Sequence, residues 1–219
     1  GPQTGAALCG AEDIHYIDLT GGTATGRKVA AQAGERLIRA TMELGGKTPI
    51  VVCEDADLEA AIAGTLFAAF VASGQTCVSG ARFIVHESIY DRFTKGLAAR
   101  ADAITIGDPM ADETQMGPVI SKASQDRCAH LIARAKADGA VQIAGHSDPD
   151  LKAPFDKGFY VRPTVFKDVT PDQELFLEEV FGPVISITPY KDEEEALALA
   201  NTGTFGLGVS IWSCDIARA

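Results

Sequence analysis

Cys77 stands in the stretch Gly-Gln-Thr-Cys-Val-Ser-Gly, residues 74–80, directly after the apolar run from Ala60 to Gly74. A cysteine attacks carbonyl carbon well because its thiolate is strongly nucleophilic and forms near neutral pH when its surroundings lower the thiol pKa. Glycine, amide and hydroxyl neighbours suit a thiol presented on a loop, whereas a cysteine closing a core helix is only a small hydrophobe. Cys9, Cys53, Cys128 and Cys214 are read as such buried hydrophobes. Five cysteines with no Cys-x-x-Cys pair indicate neither a disulfide framework nor a zinc ribbon. They point to a reducing compartment, the cytoplasm first. His15, His86, His130 and His146 are scattered, so no metal site and no Cys–His protease pair is expected.

A second piece of chemistry lies in Gly21-Gly22-Thr23, a turn that opens an alanine-rich helix. Backbone N–H groups and the positive end of the helix dipole there suit a pyrophosphate. Gly21, Gly22 and Gly26 do not complete the G-x-G-x-x-G fingerprint, so alone they are weak evidence for a dinucleotide. Glu43, on its own residues, is a carboxylate at a strand end. Glu178 and Glu179 read as a solvated acidic pair, with a ligand role open for Glu179 and Glu178 left structural, and Phe181, before Gly-Pro, reads as core or as a wall for a ligand. The glycines after Glu43 and before Gln75 would let substrate and cofactor approach the backbone closely.

These groups must be positioned by the elements around them. Residues 14–20 read as a strand, 21–37 as a glycine turn and helix, and 39–46 as a second strand ending in a glycine pair. Strand, acidic turn and long helix follow to Gly74, with Asp55 or Asp57 as the cap. Then come a strand from Ala81 and a helix from Ser88, where Ser88 would cap and Asp91 would complete a capping-box spacing. A loop, the helix from Lys122, the strand Val141–Gly145 and a Pro/Gly-rich loop lead to a strand from Tyr160, whose Pro163 suggests an edge or a bulge. The stretch Glu174–Pro183 enters a strand at Val184, Asp192–Glu195 place acids at a helix start, and the last strand begins at Leu207. Strands and helices alternate, so the class is α/β.

With 219 residues and 46% hydrophobic content, the chain has enough apolar side chains for a sizeable core, in one large domain or two smaller ones. Its 19 basic and 30 acidic residues give a net charge of −11, which argues against nucleic acid or an anionic membrane as the partner. No apolar run is long enough to span a bilayer, and the first ten residues lack the basic start of a signal peptide. With no initiator Met and an end in mid-pattern, the chain reads as a segment of something longer.

Three blocks in this order, Met-Glu-Leu-Gly-Gly-Lys (42–47), Gly-Gln-Thr-Cys (74–77) and Glu-Glu-Val-Phe-Gly-Pro-Val (178–184), resemble the aldehyde dehydrogenase superfamily, as does the turn from Leu19 to Arg27. The resemblance covers essentially the whole chain. It implies the end of a Rossmann-like cofactor domain (residues 1–44) followed by most of an α/β catalytic domain (residues 45–219). It implies NAD or NADP as cofactor, an aldehyde as substrate, and a homodimer or homotetramer at full length. Cys77 then matches the nucleophile, with its own amide as an oxyanion donor, and Glu43 matches the base that activates water. Thr20, Gly21, Gly22, Thr23, Gly26, Leu44, Glu179 and Phe181 match cofactor-binding positions. Many members carry serine where this chain has Gly22, and the family's second oxyanion donor, an asparagine, would lie upstream of residue 1. The alternatives left open are a CoA-acylating dehydrogenase, a cysteine hydrolase or acyltransferase, and a non-catalytic fragment or interaction module.

Overall fold

The computed structural model describes residues 1–219, which divide into two compact units, Gly1–Gly45 and Gly46–Ala219. In the first, helix α1 (Pro2–Gly10) precedes strand β1 (Tyr16–Thr20), helix α2 (Thr23–Glu35) and strand β2 (Arg39–Glu43). β1 and β2 pair in parallel from Tyr16↔Arg39 to Thr20↔Glu43. Ile17, Val29 and Ala33 are buried between α2 and the strands, where a helix returning the chain must put its apolar stripe. Arg36, at the end of α2, donates to the carbonyls of Cys9 (2.7 Å) and Ile14 (2.8 Å). α1 has no counterpart in the sequence reading. None of its residues is buried, so it carries no apolar stripe to announce it.

The second unit is a six-stranded sheet in the order β5-β6-β7-β4-β3-β8, parallel except for the antiparallel pair β5–β6. The strands are β3 (Thr48–Val52), β4 (Gly80–His86), β5 (Val141–Ala144), β6 (Thr164–Lys167), β7 (Val184–Tyr190) and β8 (Ser210–Trp212). The helices are α3 (Leu58–Phe70), α4 (Tyr90–Asp102), α5 (Lys122–Ala137), α6 (Glu174–Leu177) and α7 (Glu193–Ala200). Alternate strand residues serve two cores. Ile50, Val52, Phe83 and Val85 meet Ile62, Phe93 and Leu97 of α3 and α4. Val51, Ile84 and Phe166 meet Leu131, Phe176 and Leu199 of α5, α6 and α7. A sheet covered on both faces reads as continuous apolar strands, and β3 is buried at all five positions.

Several local expectations are settled or corrected. Asp57 caps α3, accepting from Ala60 N at 3.1 Å. Asp55 instead accepts from Ser213 Oγ (2.8 Å) and from the amides of Cys214 (3.0 Å) and Asp215 (3.1 Å), tying down the turn after β8. Ser88 caps nothing. The chain makes a short 3-10 turn, Glu87–Ile89, before α4, and the Ser88 amide is accepted by His86 Nδ1 at 3.3 Å. Pro163 marks neither an edge nor a bulge in its own strand. It sits one residue before β6, which lies between β5 and β7, so its missing N–H costs the ladder nothing. Cys53 and Cys128 are buried as read, but Cys9 is half-buried and Cys214 exposed. Cys214 lies in the turn that Asp55 holds by its backbone, outside any core.

Candidate active site

The thiol and its neighbours lie on the segments that enter three adjacent parallel strands. Gly46 precedes β3, Cys77 precedes β4, and Glu179 and Phe181 precede β7. Ligands in open α/β sheets usually gather beyond the carboxyl ends of the strands. Here the amino ends converge, because β7, β4 and β3 are neighbours that start at the same side of the sheet.

Cys77 occupies a tight turn. α3 ends at Phe70, and Ala72, Ser73 and Gly74 follow in the left-handed region with φ of 49°, 57° and 69°. Non-glycine residues there are strained, and the strain is held locally: Ser73 Oγ donates to Gly117 O at 3.0 Å. Gln75 accepts from Ile120 N at 2.9 Å. Ser79 N then donates to Thr76 O at 3.1 Å, and the Thr76 and Ser79 hydroxyls share a hydrogen bond of 2.6 Å, closing a β-turn with Cys77 and Val78 at its corner. Cys77 is half-buried, and its backbone N–H has no partner in the chain. Cys128 lies in the core instead, where burial pushes its thiol up to about 11 and keeps it protonated and inert.

The Glu179 segment is clamped against this turn. Arg127, on α5, donates Nε to the carbonyls of Glu179 (3.0 Å) and Val180 (3.2 Å), and lies 3.8 Å from the Glu178 carboxylate. Glu179 Oε1 accepts from Gly46 N at 2.9 Å, which leaves the other oxygen free. Phe181 has φ 55° and is 42% exposed, so it is a surface ring and not core. Gly46, Gly74, Thr76, Ser79, Glu179 and Phe181 line one small pocket. Its glycines are approached by the protein itself and not, as expected, held open for ligands. A Cβ on Gly46 would stand 2.2 Å from Cys77 O, and one on Gly74 would stand 2.5 Å from Gly182 O.

In the first unit, Glu43 is exposed at the end of β2, and its carbonyl accepts from Gly21 N at 2.9 Å. The Gly21 amide is therefore already used, a correction to the reading that it was available to a phosphate. Gly22 is the N-cap of α2 in extended conformation, with no side-chain cap, and the amides of Gly22, Thr23 and Ala24 have no partner in the chain. Thr20 is exposed at the end of β1. Gly26 is buried with Leu44 packed on it, where a Cβ would lie 2.4 Å from Leu44 Cδ2.

Two buried cations were not singled out in the sequence. Arg82 spends its donors on the carbonyls of Lys47 (2.9 Å), Ala200 (2.8 Å) and Thr202 (2.5 Å) and lies over the Phe176 ring. Lys47 is 2% exposed and its Nζ has no partner; burial first, and then the Arg82 charge, lower it to about 7. Neither Arg82, Lys47 nor Arg127 carries a local signal, since each reads as an ordinary basic residue until the fold surrounds it.

The whole chain, residues 1–219, matches the model of the aldehyde dehydrogenase family, and the chain belongs to that family. It is 44% identical over 216 residues to a betaine aldehyde dehydrogenase of Brucella anthropi and 46% identical over 216 residues to one of Brucella ovis. Each alignment covers 99% of this chain and 44% of the relative, so the chain spans less than half the length of these curated relatives. Its fold is that of a solved aldehyde dehydrogenase from Bacillus cereus in complex with NAD+, with a TM-score of 0.94 and 38% identity over 100% of this chain and 43% of that one. It is equally similar to the Mycobacterium tuberculosis aldehyde dehydrogenase complexed with NAD+, at TM-score 0.94 and 38% identity, covering 99% and 44% of the two chains. The fold is thus α/β, a part of the aldehyde dehydrogenase fold.

Proposed function

We propose that this chain is the thiol-bearing portion of an NAD(P)-dependent aldehyde dehydrogenase that oxidises an aldehyde to a carboxylic acid. The observation that carries the reading is Cys77, half-exposed at the corner of a β-turn with its own amide free, in a chain of this family. The Cys77 thiolate adds to the aldehyde carbon, and the oxygen of the resulting thiohemiacetal takes the Cys77 N–H as donor. A bound nicotinamide supplies the hydride acceptor. Loss of hydride leaves a Cys77 thioester. Glu43, as general base, takes a proton from water, which cleaves the thioester and returns the thiolate.

The residues present fit such a cofactor. Unpartnered amides of Gly22, Thr23 and Ala24 at the start of α2 suit a pyrophosphate. The free oxygen of Glu179 suits a ribose hydroxyl, and the exposed Phe181 ring suits a sugar or ring face. Within the first unit, Thr20, Gly21, Gly26 and Leu44 would support the pyrophosphate turn through packing and turn geometry. NAD is the first cofactor to test, because two solved relatives are NAD+ complexes. Residues 1–44 would close the dinucleotide-binding domain and 45–219 form most of the catalytic domain. The named activity of the curated relatives makes betaine aldehyde the first substrate to try. Homo-oligomeric assembly and a reducing, cytoplasmic setting for the five free cysteines belong to the same reading.

The test is made in the full-length enzyme. Cys77→Ala should abolish turnover, and Glu43→Gln should give a burst of reduced cofactor followed by a slow steady state. Unchanged steady-state rates in the Glu43 variant would remove the base assignment, and activity in Cys77→Ala would remove the nucleophile.

A further inference from the structure

Gly46 is engaged on both sides of its backbone. Its N–H donates to Glu179 Oε1 at 2.9 Å. Its Cα lies so near the thiol turn that a built Cβ would stand 2.2 Å from Cys77 O and 3.4 Å from Cys77 C. A side chain here would have to displace the peptide unit that follows the nucleophile, because the obstructing atoms are backbone and cannot rotate away. The other ends of this chain of contacts are anchored too. Arg127 holds the Glu179 and Val180 carbonyls from α5, and the following residue, Lys47, gives its carbonyl to buried Arg82 at 2.9 Å. A second close approach, Gly74 against Gly182, locks the start of the thiol segment to the end of the Glu179 segment.

We infer that Gly46 is a positioning residue: it transmits the hydrogen bonding of the Glu179 carboxylate to the Cys77 turn and so sets how the thiol is presented. The inference rests on the reading of Cys77 as nucleophile, but it concerns the cofactor-free protein and needs no turnover to be observed. Glu179 anchors Gly46, and Gly46 is the floor on which the Cys77 carbonyl rests. Removing the acceptor frees Gly46 and lets the turn relax. Replacing the carboxylate by an amide removes its charge but keeps an oxygen that accepts from the Gly46 N–H.

The experiment measures iodoacetamide alkylation of Cys77 in the cofactor-free full-length enzyme, with the labelled residue identified by peptide mass spectrometry. Glu179→Gln should alkylate within about twofold of the parent, while Glu179→Ala should alkylate about three- to tenfold faster, the net weight of one ordinary hydrogen bond. Gly46→Ala should also shift the rate, with a thermal melt to establish that it is folded. The Glu179 pair decides the matter if Gly46→Ala is not folded. Equal rates for the two Glu179 variants, whether both fast or both like the parent, would overturn the inference, since charge or nothing would then be the link. Failure of the parent reading looks different: Cys77 would then resist alkylation, or Cys77→Ala would keep its dehydrogenase activity.

Discussion

Replacing Lys47 with methionine should stabilise the protein at neutral pH, although it removes a charged residue beside the site. Lys47 Nζ is buried without a partner, next to the permanent charge of Arg82. Burial is the first cause and Arg82 the second in lowering the amine from 10.5 to about 7; Glu179 opposes them in part. The sign follows from proton counting. Between about pH 7 and 10.5 the unfolded chain keeps a proton on this amine that the folded chain has shed, so the folded state gains as pH rises. Below about 7 both states are charged, and the folded protein bears the full cost of burying an ammonium. At about 1.36 kcal/mol for each pH unit, the gap between 10.5 and 7 makes that cost about 5 kcal/mol at its upper bound. Methionine fills a similar volume without charge, and replacing buried ion pairs by apolar residues of similar volume is often neutral or stabilising by about 1–4 kcal/mol. The useful window is narrow, because burial raises Cys53, Cys128, Tyr90 and Tyr190, which makes the folded state lose stability once their unfolded counterparts ionise above about pH 9. Urea denaturation of parent and Lys47→Met from about pH 7 to 8.5 is the assay, read as the difference between the two proteins at each pH. The parent should gain about 2 kcal/mol across that window, or about 4–8 °C in Tm, while the variant gains none of it. A variant less stable than the parent at pH 7, or one with the same pH slope, would refute the reasoning.

Arg82→Met should act in the opposite direction to Lys47→Met. It strips the donor from the buried carbonyls of Lys47 and Leu199 and the half-buried ones of Ala200 and Thr202, and a loss of more than about 3 kcal/mol in urea titration is expected. Gly74→Ala puts a Cβ against Gly182 O in a residue already at φ 69°, and should cost about 2–4 kcal/mol, read as a drop in the denaturation midpoint. Asp57→Ala removes the acceptor for Ala60 N at the start of α3 and should lower stability by about 1 kcal/mol, or Tm by about 2–4 °C by calorimetry. No change in Cys77 alkylation is expected from Asp57→Ala, since the cap lies a full helix away in sequence.

The alternation of strands and helices, a cap for α3 at Asp55 or Asp57, and the turn setting of Cys77 were legible from residue types, because each depends on groups within a few positions of one another. Asp57, Ser121 and Asp192 are short polar side chains directly before helices and accept from amides three residues on. The placing of Cys77 on a turn after a helix was likewise visible in Gly-Gln-Thr-Cys. α1 left no mark, since none of its residues is buried. Ser88 was misread because a local competitor, His86 Nδ1, took the amide that a cap would have needed. Pro163 was misread because whether a strand lies inside a sheet depends on which distant strands flank it.

What residue order alone determined is therefore local: which thiol sits on a turn and not in a core, which helix starts carry free amides, and which strands are apolar enough for both faces to be covered. What the tertiary structure decided is everything that depends on chain segments far apart in sequence. Gly46, Cys77 and Glu179 are separated by dozens of residues and meet only because β3, β4 and β7 are neighbours beginning at one side of the sheet. Whether a lysine is solvated or stripped of water is decided in the same way, by packing that brings Arg82 beside it and closes both away from solvent. Hydrogen bonds and desolvation act over a few ångströms of space, and only the fold converts distance along the chain into that.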